Sequence, residues 1–254
     1  MATPLIDNEV LPPIDFASAY FGKDYRINDF ISIHQPTIDE IIEYGEKEYW
    51  RLINILTIIS SDMKSEFWDA GKYWGDVSDF ETFYLVVRSL PVEQTKIVFG
   101  DKIDFRKFGW YKQKCNDLFC MADIENGIKI DELLYAKMVK YISSIHGIEK
   151  KPEFAGNATT REFLIDEDRR NKKRAKENEY KSTLFPLSSF LSSENKLTPA
   201  QIRDMKIFYF LDTIKRTCAI NSSNLLLTGI YAGKVDGEKV NKKMLDSMRD
   251  LYTK

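Results

Sequence analysis

The sequence predicts a mainly helical α+β protein, with a small antiparallel sheet among the helices of the N-terminal half and a helical C-terminal half. Three observations support this fold class: helix-start signals recur along the chain, apolar residues mostly recur at helical spacing, and residues 95–130 change to short β-branched and aromatic runs. With 254 residues, of which 43% are hydrophobic, the chain is long enough to bury a sizeable core.

The first helix signal follows a short extended stretch that contains His34. Proline at position 36 favours extended backbone at the residue before it, and Thr37 with Glu40 forms a capping box that satisfies free N–H groups at a helix start. His34 is therefore predicted to mark a strand-to-helix junction. Glycine costs roughly 1 kcal/mol inside a helix, so Gly45 predicts a close helix–helix approach or a kink. One amphipathic helix of about six turns is predicted from the apolar positions Ile38, Ile41, Ile42, Tyr49, Leu52, Ile53, Leu56 and Ile59.

Three further capping boxes predict helix starts later in the chain. Pro91 should end the first of these helices, and Pro199 occupies the first helical position of the last one. The last segment, AQIRDMKIFYFLDTIKR, has apolar stripes on two sides, which predicts a central buried helix. The boxes pair Ser78 with Glu81, Thr159 with Glu162, and Thr198 with Gln201.

Short apolar runs after residue 95 predict the small sheet. TKIVFG, FGWYKQK and LFCMAD are β-branched or aromatic runs separated by Gly, Asn and Asp. Asn126-Gly127 is a strong turn signal within a hairpin predicted near 109–130. Asp131 should then cap a helix that ends at Gly147.

A joint between two domains is predicted at residues 147–158. This stretch combines Gly, Pro and charge without apolar periodicity, which is typical of a linker. We therefore predict an α+β domain at 1–150 and a helical domain at 151–254.

Composition excludes several classes of protein. The chain has 37 Lys and Arg against 39 Asp and Glu, a net charge of −2, whereas a nucleic-acid-binding protein normally has a basic excess. No apolar run approaches the roughly 20 residues that cross a bilayer, and the N-terminal residues lack the basic and apolar regions of a signal peptide. Only three cysteines occur. We expect a cytosolic protein with reduced thiols and with neither nucleic acid nor membrane as a partner.

Neither histidine sits in a recognisable catalytic spacing. Histidine is the side chain best suited to acid–base chemistry near neutral pH, but neither His34 nor His146 has a Cys, Ser or Asp at a known nucleophile spacing. His146 ends a predicted helix beside Gly147, where a cation also suits the helix dipole. We therefore predict that the protein is not an enzyme and needs no cofactor.

Two other motifs fall short of the chemistry that they suggest. Cys115 and Cys120 have no second ligand pair, so packed cysteines on a hairpin are favoured over a zinc site. TGIYAGKVDG resembles a phosphate-binding loop, but only three residues separate Gly229 from Gly233, and Val235 stands where Ser or Thr should bind magnesium. Gly229 and Gly233 are therefore predicted to be turn glycines after a short helix.

A charged stretch follows the predicted joint. The acidic trio 166–168 could bind a metal, but consecutive residues on a helix point in different directions, so a solvated face is favoured. Residues 169–176, RRNKKRAK, hold six basic residues in eight, without aromatic residues for base stacking. With acidic neighbours on both sides, this run is predicted to be a solvated helix face or a hinge.

Aromatic residues crowd the region between residues 44 and 74. Most should be core, but tryptophan and tyrosine are also the residues that anchor protein interfaces. In the absence of a catalytic set, this crowding favours a protein-binding role. The candidate interface anchors are Tyr49, Trp50, Trp68 and Trp74.

Several stretches resemble a family of tail-morphogenesis proteins from tailed bacteriophages and prophages of Gram-positive bacteria. They are IHQPTIDEIIEYGEKEYW, KIVFGDKIDF, GIKIDELLYAKMVKYI, GNATTREFLIDEDR, MKIFYFLDTIKR and LLLTGIYAGKVDG. The resemblance runs from about residue 28 to 245. The resemblance rests on general sequence similarity rather than on chemical motifs, so it assigns no catalytic residue to this chain.

The resemblance implies a chaperone-like tail assembly factor in the cytoplasm of the infected host cell. Such a factor binds another tail protein, the tape measure or the tail tube, during tail morphogenesis, and self-association is compatible with this role. The alternative is a structural tail or baseplate component that is retained in the virion tail. Both roles require apolar helical surfaces rather than reactive residues.

Overall fold

A computed structural model of the chain describes residues 11–113 and 118–252. The chain is a mainly helical α+β protein, as the sequence predicted. Its first part comprises α1 (Phe16–Tyr20), β1 (Tyr25–Arg26), β2 (Ser32–Ile33), α2 (Ile38–Tyr44), α3 (Glu46–Leu56), α4 (Lys64–Asp69), α5 (Asp79–Val87) and α6 (Val92–Phe99). Its second part comprises β3 (Gly109–Lys112), β4 (Phe119–Asp123), β5 (Ile128–Asp131), α7 (Glu132–His146), α8 (Ala158–Glu177), α9 (Leu184–Glu194), α10 (Pro199–Arg203) and α11 (Ile207–Tyr231).

Three of the four helix starts predicted from capping boxes are confirmed. Thr37 and Thr198 form complete capping boxes at α2 and α10, and the Ser78 side chain accepts a hydrogen bond from the first turn of α5. The prediction for Thr159 was wrong. The N-cap of α8 is Asn157, whose side chain accepts from the backbone N–H of Thr160. Asparagine is at least as good an N-cap residue as threonine, and as the N-cap it starts the helix slightly earlier than predicted.

Two predicted long helices are each broken in the structure. Gly45 has a φ of 101°, which L-residues rarely adopt, so the predicted six-turn helix divides into α2 and α3 at a sharp bend. The kink, rather than a close helix–helix approach, explains this glycine. The predicted central helix likewise divides into α10 and α11, because residues 204–206 form a turn that pairs with the start of α2.

The predicted sheet is present, but it begins later than the sequence indicated. Strands β3, β4 and β5 form one antiparallel sheet in that order, and Asp123 faces Ile128 across the second hairpin. Gly127 has a φ of 67°, as the Asn-Gly signal requires. TKIVFG is helical within α6, where its apolar residues Val98 and Phe99 are buried in the core. Tertiary packing therefore overrides the β propensity of this run.

One large apolar core joins side chains from both sides of residue 150. Buried residues of α3, α5 and α7 pack in the same cluster as those of α11. The prediction of a buried central helix is confirmed for the first half of α11, where Phe208 and Phe210 are at most 2% exposed. The division into domains at 1–150 and 151–254 stays a prediction.

A second, smaller core holds the start of α8. It comprises Phe67, Trp74, Val77 and Ile165. The indole N–H of Trp74 donates to the backbone oxygen of Glu153 at 2.7 Å, and the Tyr73 hydroxyl accepts from the backbone N–H of Ala155 at 3.0 Å. The non-helical joint before α8 is therefore held by aromatic side chains from the region around α4.

Candidate functional site

The structure separates the four candidate interface anchors by exposure. Tyr49 and Trp74 have no exposed surface and are residues of the two hydrophobic cores. Trp50 is partly buried against the large core. Trp68 is 40% exposed, with the Arg161 guanidinium 5.8 Å from its ring. Trp68 is therefore the anchor candidate with the most surface available to a partner.

His146 lies in a closed environment between α3 and α7. Its Nε2 accepts from the Tyr49 hydroxyl at 2.6 Å, and its Nδ1–H donates to the backbone oxygen of Ile142 at 2.7 Å. Burial lowers the pKa of His146 to about 4, although the bond to Ile142 opposes this. Burial also raises the pKa of Tyr49 well above its usual range. Both groups are therefore neutral at pH 7, and their side chains contribute to the packing between α3 and α7.

His34 lies at the predicted junction between β2 and α2, within a cluster of charges. Its Nδ1 is 2.9 Å from Asp24, and its Nε2 is 3.5 Å from the Lys206 ammonium and 3.7 Å from Glu40. Burial opposes ionisation of Glu40, but bonds from Thr37 and the nearby Lys206 lower its pKa overall. A histidine paired with a carboxylate can activate a nucleophile. Here the second ring nitrogen of His34 faces the Lys206 ammonium. The cluster therefore connects the start of α2 to the α10–α11 turn.

A cleft of about 600 Å³ opens between α5, α7 and the joint. Asp79 and Glu132 line it at the first turns of their helices, and burial raises the pKa of each carboxyl. The backbone N–H of Ser60 donates to Asp79 at 2.7 Å, which partly offsets the burial. Lys140 and Lys150 also line the cleft, so both signs of charge meet above an apolar floor. None of the predicted site residues lies here.

The basic run 169–176 has two faces with different surroundings. Arg169 pairs with Asp69 at 2.5 Å, and Lys172 pairs with Glu66 at 2.5 Å, so one face binds α8 to α4. The opposite face is exposed. Apart from Lys172, which is partly buried, every residue of the run is exposed, so the prediction of a solvated helix face is confirmed.

Asp168 of the acidic trio belongs to the same contact between α8 and α4. Its Oδ2 accepts from the backbone N–H of Ser65 at 3.0 Å, from the Ser65 hydroxyl at 2.6 Å and from Lys172 at 2.7 Å. Burial opposes ionisation, but these bonds lower the pKa of Asp168 overall. The i,i+4 spacing to Lys172 was visible in the sequence, whereas the contact with Ser65 was not.

The cysteine and glycine motifs have structural roles. Cys120 is buried in β4, Cys218 is exposed on α11, and Cys115 lies outside the described residues. Gly229 lies in the last turn of α11, a long helix rather than the short one predicted, and Gly233 follows with a φ of 66°. In the described residues, no group of three or more His, Cys, Asp and Glu side chains is placed to hold a metal ion.

The second half of α11 carries exposed apolar side chains. Leu225 is 74% exposed and Tyr231 is 85% exposed, whereas the first half of the same helix is in the core. Met244 and Met248, on the segment that returns along the helix, are 44% and 88% exposed. The sequence signal for this surface was the run LLLTGIY, whose glycine was predicted to be a turn glycine after a short helix.

Comparisons with protein-family models, with curated protein sequences and with solved structures gave no significant match. The family resemblance therefore stays a prediction. Among the described residues, no helix has the length and apolar character that crossing a membrane requires.

Proposed function

We propose that this protein is a non-enzymatic, chaperone-like assembly factor for phage tails that binds another tail protein, such as the tape measure, in the cytoplasm of the infected host cell. The observation that carries the proposal is the uncovered apolar helix surface on the second half of α11. A helix surface of this kind suits a partner that itself offers apolar helices. The resemblance to tail-morphogenesis proteins names the process in which such a partner occurs.

The geometry around the two histidines is consistent with a protein that binds rather than catalyses. His146 is enclosed and neutral, and His34 is held between charged side chains. We expect His34→Ala and His146→Ala to change stability without a separable loss of a chemical activity.

Co-expression with the tape-measure protein tests the proposal. We expect the tape measure to stay soluble and to co-purify with this chain, because burial of its apolar helices would prevent aggregation. A tape measure that stays insoluble and unbound beside the soluble chain would contradict the chaperone role. The control is the same co-expression without this chain.

Mass spectrometry of purified virions separates the proposal from the alternative of a structural tail or baseplate component. An assembly factor should be absent or scarce in virions, whereas a structural component should occur at a fixed ratio to the tail tube protein. The second result would move the protein from the cytoplasm to the virion tail.

A further inference from the structure

One wall of the cleft between α5, α7 and the joint is a single face of α7. Glu132, Tyr135, Ala136, Val139 and Lys140 line the cleft, and residues three or four apart share a helix face. At a rise of 1.5 Å per residue, Glu132 and Lys140 lie about 12 Å apart along the helix axis. This wall therefore has an acidic end at the start of α7 and a basic end further along, with apolar side chains between them.

Asp79 adds a second carboxyl group at the acidic end of the cleft. Burial is the main cause that raises the pKa of Tyr135 far above its usual range, and the charges of Asp79, Glu132 and Asp62 add to it. The carboxyls of Asp79 and Glu132 therefore both lie near the Tyr135 phenol. Phe80, which follows Asp79 on α5, stacks on the Tyr135 ring at 5.1 Å. The starts of α5 and α7 thus place two carboxyls around one buried phenol.

The polar groups at this end have unused capacity for hydrogen bonds. Tyr135 is 6% exposed, yet its hydroxyl reaches the backbone oxygen of Ile58 only at 3.5 Å, longer than the roughly 3 Å of a normal bond. One oxygen of Asp79 accepts from the backbone N–H of Ser60. In the part of the chain that the structure describes, the Glu132 carboxyl has no hydrogen bond or ion pair. Buried polar groups normally have partners, so this end of the cleft suits a ligand that donates hydrogen bonds.

The lysines of the cleft do not neutralise these two carboxyls. Lys140 donates to two backbone oxygens before α1, each at 3.3 Å, and Lys150 pairs with Asp62 at 2.6 Å. The other two charged lining residues, Glu149 and Lys151, are exposed and of opposite sign. Among the described residues, none of these lysines forms an ion pair with the two carboxyls of the acidic end.

We propose that the acidic end of the cleft, formed by Asp79, Glu132 and the Tyr135 hydroxyl, binds the ammonium group of an alkylamine. An ammonium group has three donors and no acceptor, so it matches two carboxyls and a phenol oxygen. Its charge offsets the cost of burying the carboxyls. The alkyl part then lies against the apolar lining residues Ala136 and Val139. This inference goes beyond the function proposed above and does not depend on it.

Three ligands with the same hexyl chain test the charge of the site: hexylamine, hexanol and hexanoate. Isothermal titration of the full chain at pH 7 should show hexylamine binding at least about tenfold more tightly than hexanol, with hexanoate weakest. Added salt should weaken hexylamine binding. Equal binding of hexylamine and hexanol would contradict the proposal. Tightest binding of hexanoate would also contradict it, because the lysines would then dominate the cleft.

Substitutions that remove one charge each test the two carboxyls. Asp79→Asn and Glu132→Gln should each weaken hexylamine binding at least about fivefold and leave hexanol binding unchanged. Asparagine keeps an oxygen that can accept from Ser60, and Glu132 has no bond to lose, so circular dichroism should show both variants folded. Glu93→Gln is the matched control, since Glu93 is an exposed acid in the first turn of α6, outside the cleft. Unchanged hexylamine affinity in a folded Glu132→Gln variant would overturn the site.

A substitution that fills the cleft locates the alkyl chain. Ala136→Phe adds a ring to the α7 wall, and it should abolish binding of hexylamine while the circular dichroism spectrum stays that of the wild type. Retained binding in this variant would show that hexylamine binds elsewhere, which would overturn the assignment.

A blocked peptide with one lysine among alanines distinguishes the two sources of an alkylammonium group, a free amine and a lysine side chain. Tighter binding of this peptide than of hexylamine would assign the site to a lysine of a protein segment, whereas binding of hexylamine alone would assign it to a free amine. Binding of neither would overturn the proposal. The co-expression test of the tape measure is unaffected by these results, so failure of this site and failure of the proposed function remain distinguishable.

Discussion

Two of the joints that connect the residues after position 150 to those before it differ in physical character. The first half of α11 packs into the large core through fully buried apolar side chains such as Ile207 and Phe210. Helix α8 instead lies on α4 through ion pairs and hydrogen bonds, with Ile165 as its one buried residue. Apolar burial contributes stability that depends little on salt, whereas partly exposed ion pairs are weakened by salt and acid. The two helices should therefore respond differently to the same perturbation.

The largest effect is expected at the apolar joint. Phe210→Ala should reduce the free energy of unfolding by about 3–5 kcal/mol, because it removes a fully buried ring and leaves a cavity. Urea denaturation measured by circular dichroism would give this value. Phe185→Ala is the control, since Phe185 is 76% exposed on α9, and a similar loss there would contradict the interpretation.

A comparable effect is expected from acid at the core histidine. The folded-state pKa of His146 is about 4, below the ordinary value of 6.5, so the unfolded chain binds this proton more readily. The contribution of the neutral histidine is complete above pH 6.5 and is lost as the pH falls from 6.5 to about 4, by about 3 kcal/mol in total. Urea denaturation across this pH range measures the loss.

The control for this prediction is His146→Gln, whose side chain does not titrate in this range. Its stability should lack the slope that His146 contributes between pH 6.5 and 4. An identical slope in the wild type and in the variant would show that other groups cause the acid sensitivity.

A smaller and more local effect is expected at the charged joint. Asp168→Ala removes the acceptor for both Ser65 donors and for Lys172, which should cost about 1–3 kcal/mol. Hydrogen exchange should accelerate in α8 but not in the first half of α11. Asp166→Ala is the matched control, because Asp166 only faces Arg169 at 3.6 Å in an exposed pair and should cost a few tenths of a kcal/mol. Equal exchange in both variants would contradict the role of Asp168.

The smallest effect on stability is expected on the uncovered half of α11. Leu225→Ser should change the free energy of unfolding by less than about 0.5 kcal/mol, because Leu225 is 74% exposed. Thermal unfolding would measure the change. A loss comparable to that of Phe210→Ala would show that Leu225 is packed in solution, and it would contradict the uncovered apolar helix surface on which the proposed function rests.

The start of α2 and the sheet show how far local chemistry reaches. Thr37 with Glu40 satisfies backbone groups within a few residues, and Gly127 supplies the positive φ of the hairpin turn, so both structures could be predicted. The break at Gly45 and the helical state of TKIVFG could not, because each depends on which neighbours the segment packs against. The same limit applies to the basic run 169–176, because only its contact with Asp69 and Glu66 distinguishes the two faces of the helix.

The sequence by itself determined the fold class, the helix starts at Thr37, Ser78 and Thr198, and the hairpin near 109–130, because these depend on short-range hydrogen bonds and apolar spacing. Only the tertiary structure decided which aromatic side chains are accessible, since Trp74 and Trp68 stand in similar sequence surroundings but are 0% and 40% exposed. It also decided which half of α11 is covered. Burial depends on residues that are distant in sequence. The periodicity of a single helix does not specify how many of its apolar faces will pack against such residues.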